Sequence, residues 1–187
     1  MDIEKSLLEK NSYSRPGTAI GKIEKIVVHW VGNANTSALA NRNYFNSLKQ
    51  GKKSKGGIFI YASSHYIVGL KGEVLACVPE NEIAYHAGRA NKYAIGIEVC
   101  HPDWQGKFGV MTSRSLIQLL YTLCLRYQLN PKEDIIRHYD VTGKLCPLYY
   151  VKHPEEWEAL KKAVEDYGVK QRTLHIKEES NGKAVRN

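Results

Sequence analysis

"EKIVVHWV", Glu24–Val31, is a short β-branched run bounded by Gly21 and Gly32, and it reads as a buried strand. Downstream, NANTSALANRNYFNSLKQ offers Ser and Thr as helix N-caps, with Leu39, Tyr44 and Leu48 near helical spacing. After the polar break GKKSKGG (51–57), IFIYASSHYIVG and GEVLACV flank a turn at Gly72 as two strands of a hairpin. AIGIEVC (94–100) reads as another interior strand and HPDWQGKFG as a loop. SRSLIQLLYTLCLRYQL is the clearest helix, with Leu116, Leu120, Leu123 and Tyr127 on one face, widened by Leu119 and Cys124. IIRHYD reads as a short strand. PEEWEALKKAVEDYG reads as a terminal helix, with acidic residues in its first turn and Gly168 past its end. Strands interleaved with helices predict an α/β fold in a single domain, a mixed central β-sheet flanked by helices.

With 187 residues, 43% of them hydrophobic, the chain can bury one good core. Residues 1–167 are expected to form that domain. From Val169 the hydrophobic pattern stops, and 168–187 reads as a basic polar tail or the start of a linker, with five cations against two anions. No run approaches the roughly 18 to 20 apolar residues of a membrane span, so stable membrane insertion is not expected. MDIEKSLLEK mixes both charge signs where a secretory signal is basic and then apolar, so synthesis in the cytoplasm without a signal peptide is expected. Net charge is +8, from 27 Lys and Arg against 19 Asp and Glu, which favours polyanionic partners. Nucleic acid is disfavoured, because GKKSK is too short a basic cluster and lacks interleaved aromatics.

Three of the four cysteines, Cys77, Cys100 and Cys124, sit in apolar stretches of the kind that bury free thiols, whereas Cys146 lies among polar and turn residues. A lone histidine at a strand end is more often packed than ligating, and His101, His153 and His175 have no candidate partners nearby. His29 and His138 each end a predicted strand. If those strands are neighbours, both imidazoles emerge at one edge of the sheet and Cys146 can return to meet them. Two imidazoles and one sulfur suit Zn(II) and leave a fourth tetrahedral position for water, the arrangement of a catalytic rather than a structural ion.

RHYDVTGKLCP, together with IVVHW, SSHYIVG, AYHAG and IGIE in this order, resembles the type 2 zinc-dependent N-acetylmuramoyl-L-alanine amidases. These are peptidoglycan-cleaving enzymes, common among phage endolysins and bacterial autolysins and structurally related to peptidoglycan recognition proteins. The likeness covers roughly residues 12 to 165. It implies a peptidoglycan-recognition/amidase-like fold with His29, His138 and Cys146 as zinc ligands. It makes Glu98 the acid/base carboxylate and Lys144 the cation beside the scissile carbonyl, and it places His86 in the substrate groove. Some relatives carry a catalytic Tyr just before the hairpin-strand His. Here that position is Ser64, assigned to substrate binding, and the departure shifts proton transfer toward Glu98.

Glu98 lies among Ile95, Ile97 and Val99, where partial desolvation raises a carboxyl toward the range useful for proton transfer. Gly143 is expected to turn the chain sharply, Pro147 to stiffen the ligand loop, and Asp140 and Thr142 to support it by hydrogen bonds. The implied partner is bacterial peptidoglycan, with anionic wall polymers attracted to the basic surface, and the implied place of action is the cell wall after release. Besides the nucleic-acid binder disfavoured above, two rivals stand beside this reading. A non-catalytic peptidoglycan-binding module generally lacks the cysteine ligand, and a muramidase needs two carboxylates flanking a glycosidic bond.

Overall fold

The computed structural model describes residues 1–184, with side chains as far as 174. Residues 185–187 of the expected tail, and the side chain of His175, lie outside the described residues. The elements in order are β1 (Glu4–Lys5), β2 (Lys25–Trp30), α1 (Ala38–Ser47), β3 (Tyr66–Val68), β4 (Val74–Ala76) and β5 (Ala94–Val99), then α2 (Val110–Tyr127), α3 (Pro131–Asp134), β6 (Ile135–Arg137), α4 (His138–Thr142), α5 (Leu148–Lys152) and α6 (Pro154–Ala184). The six strands form one sheet in the order β1-β4-β3-β5-β2-β6. Among the described residues only β3 and β4 pair antiparallel; every other strand pair is parallel, so the sheet is mixed as expected.

Alternation along each strand sorts its residues onto two faces. Ile26 and Val28 of β2, Ile95, Ile97 and Val99 of β5, and Tyr66 and Val68 of β3 point to one side. There they pack on Leu116, Leu119, Leu120 and Leu123 of α2 and on Trp157, Leu160 and Val164 of α6. On the other side Val27 and Ala94 meet Ala87 and Ala90, and Ile67 meets Ala38, Phe45 and Leu48. The first face is the main core. The second is the one on which polar side chains gather.

Three local expectations change. Helix α1 buries Ala38, Asn41 and Phe45, while Leu39 and Tyr44 are exposed. Ser37 caps the helix by accepting from the Ala40 N–H at 3.2 Å, and from that start the buried row is Ala38, Asn41, Phe45 and Leu48, so Leu48 is buried as expected while Leu39 and Tyr44 give way to their neighbours. The hairpin is shorter than its apolar run. Backbone N–H groups of Ile60, Ala62 and Ser63 donate to Lys52, Tyr13 and Tyr85 instead of entering the ladder with β4.

The last helix does not stop at Gly168 but runs on to Ala184. A Cβ at Gly168 would lie 2.8 Å from the Tyr121 ring. The glycine therefore continues the buried row Trp157, Leu160, Val164 and lets α6 approach α2 closely. Spacing alone does not separate this use of glycine from a C-cap. Among the described residues no helix is long and apolar enough to cross a membrane.

Candidate metal centre

Strand pairing delivers the chemistry. In the β2–β5 register His29 is the partner of Glu98, so both side chains project from the same face. In the β2–β6 register Val28 is the partner of Arg137, which sets the next residue, His138, alongside His29. At His138 the chain leaves the sheet and begins α4, where the expected strand would have run on to Asp140. Asp140 itself fixes that departure. Its carboxylate accepts the Arg137 backbone N–H at 2.8 Å and pairs with the Arg137 guanidinium at 2.8 Å. The same guanidinium donates to the Tyr150 carbonyl at 3.0 Å, tying α4 to α5.

Gly143 ends α4 at φ +78°, a left-handed conformation, with its N–H donating to the Tyr139 carbonyl at 2.8 Å. No atom lies within 4 Å of where a Cβ would sit, so the dihedral and not space demands glycine here. Thr142 Oγ1 donates to the His138 carbonyl at 3.3 Å and accepts from the Lys144 N–H at 3.4 Å. The Tyr139 N–H then donates to the Cys146 carbonyl at 3.0 Å, closing the loop and returning the thiol to the imidazoles.

Ligand atoms of His29, His138 and Cys146 all lie within 4.8 Å of one another. The two rings are 4.6 Å apart between centroids, and Cys146 Sγ lies 3.8 Å from His29 Nδ1. His29 and Cys146 are each only 2% exposed. His138 Nδ1 and Glu98 Oε2 are buried without a hydrogen-bond partner. An orphaned buried polar atom costs about 1–3 kcal/mol, so both are groups that a ligand would satisfy. Three donors of borderline and soft character, two of them ring nitrogens, fit a divalent transition ion and leave part of its coordination sphere for another molecule.

Burial holds the His29 imidazole well below its ordinary range, reinforced by His86, His138 and Lys144. Burial and then Lys144 bring His138 down to about 4. Both rings are therefore neutral near pH 7 and have a lone pair to give. The Cys146 thiol is pushed up to about 12, by burial first and then by Glu98. That excludes a free nucleophilic thiolate, and a divalent charge at the site is what would favour the ionised sulfur. Glu98 rises to about 8 through burial, opposed by the Lys144 ammonium.

These groups open into a cleft of about 800 Å³, lined also by Trp30, Tyr61, Ser63, Tyr85, His86 and Lys144. Lys144 is exposed, on the loop between Gly143 and Cys146. Ser64 is not at the cleft. It is fully buried with its hydroxyl donating to the Tyr66 carbonyl at 2.9 Å, and its neighbour Ser63 takes the cleft position. The expectation that Ser64 contacts substrate is corrected accordingly. His86 does line the cleft, but its nitrogens are engaged by His29 Nε2 at 3.1 Å and the Ala94 carbonyl at 3.2 Å, leaving only ring carbon for a substrate. His101 is buried and stacks on Trp30, and His153 faces Glu155 at 3.4 Å; neither joins the site.

Sequence reasoning missed Asn91 and Gly96. Asn91 Oδ1 accepts from the His86 and Ala87 N–H groups at 2.9 and 2.7 Å and so fixes the AYHAG turn. A Cβ at Gly96 would lie 2.5 Å from the His86 ring. A glycine inside a strand was the available signal of close approach.

The fold has solved counterparts. The PlyG catalytic domain superimposes with a TM-score of 0.73 at 21% identity, covering 89% of this chain and 94% of that one. A mutant endolysin from Bacillus subtilis gives 0.69 at 24% identity, covering 87% and 98%. At these identities the likeness is one of fold. By sequence, the N-acetylmuramoyl-L-alanine amidase CwlL of Bacillus licheniformis is 33% identical over 175 residues, which are 87% of this chain and 46% of the relative. The chain thus spans about half the length of the curated relatives it matches. The family model described as N-acetylmuramoyl-L-alanine amidase (Amidase_2) matches residues 20–148, a span that includes every side chain of the centre, and the chain belongs to that family.

Proposed function

We propose that this chain is a zinc-dependent hydrolase of peptidoglycan, cleaving the amide between the lactyl carbonyl of N-acetylmuramic acid and the L-alanine of the stem peptide, in the manner of a phage endolysin. The observation that carries the reading is the convergence of the His29, His138 and Cys146 ligand atoms within 4.8 Å, beside the unpartnered buried oxygen of Glu98. When bound by these three residues, zinc supplies a Lewis acid that polarises the scissile carbonyl and acidifies water.

The chain's own groups do the rest. Glu98 in its ionised form takes a proton from the attacking water as the water oxygen bonds to the carbonyl carbon. The same carboxyl then gives that proton to the alanine nitrogen as the C–N bond breaks, so the products are a lactyl carboxylic acid, which releases its own proton to solvent, and a free amine. Lys144 sets its ammonium toward the charge that develops on the carbonyl oxygen, the kind of stabilisation worth roughly 10²–10³ in rate. Tyr61 and Tyr85 give the cleft aromatic walls for sugar and peptide. The net charge of +8 draws the protein to anionic wall polymer, a contribution that salt screens.

Digestion of purified cell wall followed by mass spectrometry tests the reading. New L-alanine amino termini with intact glycan strands are expected. New reducing sugars, or no product from zinc-loaded protein, would refute it.

A further inference from the structure

His86 is a cleft histidine that the proposed chemistry does not use. Its Nε2 lies 3.2 Å from the Ala94 carbonyl oxygen, which can only accept, so the proton is on Nε2. His86 Nδ1 is then a lone pair, and it lies 3.1 Å from His29 Nε2. His29 must therefore donate from Nε2 and keep Nδ1 unprotonated. That Nδ1 is the atom 3.8 Å from Cys146 Sγ. A single backbone carbonyl thus dictates the tautomers of two imidazoles in series.

The seat of the His86 ring is built for this. The ring meets His29 edge-on, at 90° and 5.2 Å between centroids. It lies over Gly96, where a Cβ would approach to 2.5 Å, and Asn91 holds the backbone of the turn that carries it. The nearby His65 offers no competing partner. Its Nδ1 accepts from the Gly96 N–H at 2.9 Å and its Nε2 donates to the Glu82 carbonyl at 2.9 Å.

We infer that His86 is a positioning residue: with Ala94 and Gly96 it forms a relay that fixes which nitrogen His29 presents to a metal ion. The inference rests on the zinc reading above and extends it to groups that do not touch the ion. Ligating histidines are held by a partner on their other nitrogen, and loss of such a partner typically weakens metal affinity 10–100-fold.

Two measurements test it. Nitrogen-15 NMR of the metal-free wild-type protein is expected to show His29 protonated at Nε2, with a mixture of tautomers in His86→Leu. Competition against a chelator is expected to show zinc binding weakened about 10–100-fold in His86→Leu and in Gly96→Ala. His86→Gln, whose amide can both donate to Ala94 and accept from His29, is expected to recover affinity to within a few-fold. Thermal unfolding of each variant establishes that it is folded. His29 protonated at Nδ1 in the wild type overturns the relay without any variant, as does unchanged zinc affinity in folded His86→Leu. A wild-type protein that binds no zinc while keeping the Nε2-protonated tautomer defeats the zinc reading alone and supports the relay.

Discussion

Glu98→Gln should change how the stability of the metal-free protein depends on pH. Burial lifts the Glu98 carboxyl from an ordinary 4.5 to about 8, so between those values the folded protein holds a proton that the unfolded chain has released. Stability must then fall as pH rises through that window. Integrating the two titrations, the wild type loses about 3 kcal/mol relative to the uncharged Glu98→Gln protein between roughly pH 5.5 and 8.5. The buried histidines act with the opposite sign. His65 and His138 are depressed to about 4 and His86 to about 3, so the unfolded chain takes up protons first as pH falls below 6.5 and the fold loses stability there. The metal-free wild type should therefore be most stable near about pH 6 to 7. Urea unfolding in excess chelator, at several pH values, reads both proteins. Glu98→Gln should keep the acid-side loss and lose most of the decline between about pH 7 and 8, below the range where the raised cysteine thiols contribute a decline of their own; parallel profiles for the two proteins would refute the argument that desolvation raises the Glu98 carboxyl.

The remaining expectations concern single side chains. Cys146→Ser should stay folded but weaken zinc retention at least about 10²-fold in chelator competition, because a soft anionic donor becomes a hard neutral one; wild-type affinity would remove Cys146 from the ligand set. Lys144→Ala should keep zinc and lose about 10²–10³ in turnover on purified wall, with little change in unfolding midpoint, since the side chain is exposed; unchanged turnover would discard its role. Gly168→Val should destabilise by about 2 kcal/mol in urea even though glycine is a poor helix former, because the new methyls meet Tyr121. A gain in stability would show that α2 and α6 are free to separate.

What the chain reveals before folding depends on whether the cause is local. Strands β2 and β5 and helix α2 are legible because periodicity and β-branching are properties of the segment itself; Leu116, Leu119, Leu120 and Leu123, read as the core face of α2, are fully buried, and Tyr127 at its end is partly buried. Helix α1 shows the limit, since Leu39 and Tyr44 have the right spacing and the phase is nevertheless set by the cap at Ser37. Gly168 shows another. Its local reading is a helix stop, and the Tyr121 ring that gives it a different use belongs to another helix, far off in the chain. Ser64 fails in the same sense, because the carbonyl of Tyr66 claims its hydroxyl and no spacing rule reports a hydrogen bond to a carbonyl. His29, His138 and Cys146 stood out by residue type and by a resemblance, whereas their approach to one another is a product of strand order.

That strand order carries a further consequence. Because β2 lies between β5 and β6, one register aligns His29 with Glu98 and another brings His138 beside them. Slipping β2 by one residue would turn His29 toward α2 and bring Val28 to the cleft. What forbids the slip is the aliphatic face of the same strands, where Ile26, Val28, Ile95 and Ile97 are 0% exposed. Moving any of them to the polar face forfeits roughly 1.5–3 kcal/mol of burial apiece. The unpartnered Glu98 oxygen and His138 nitrogen are unfavourable where they lie. Glu98 stays because Ile97 and Val99 on either side of it along β5 cannot leave the opposite face, and His138 stays because it follows a β6 register anchored by buried Ile135, so the precision of the site is inherited from side chains that never touch it.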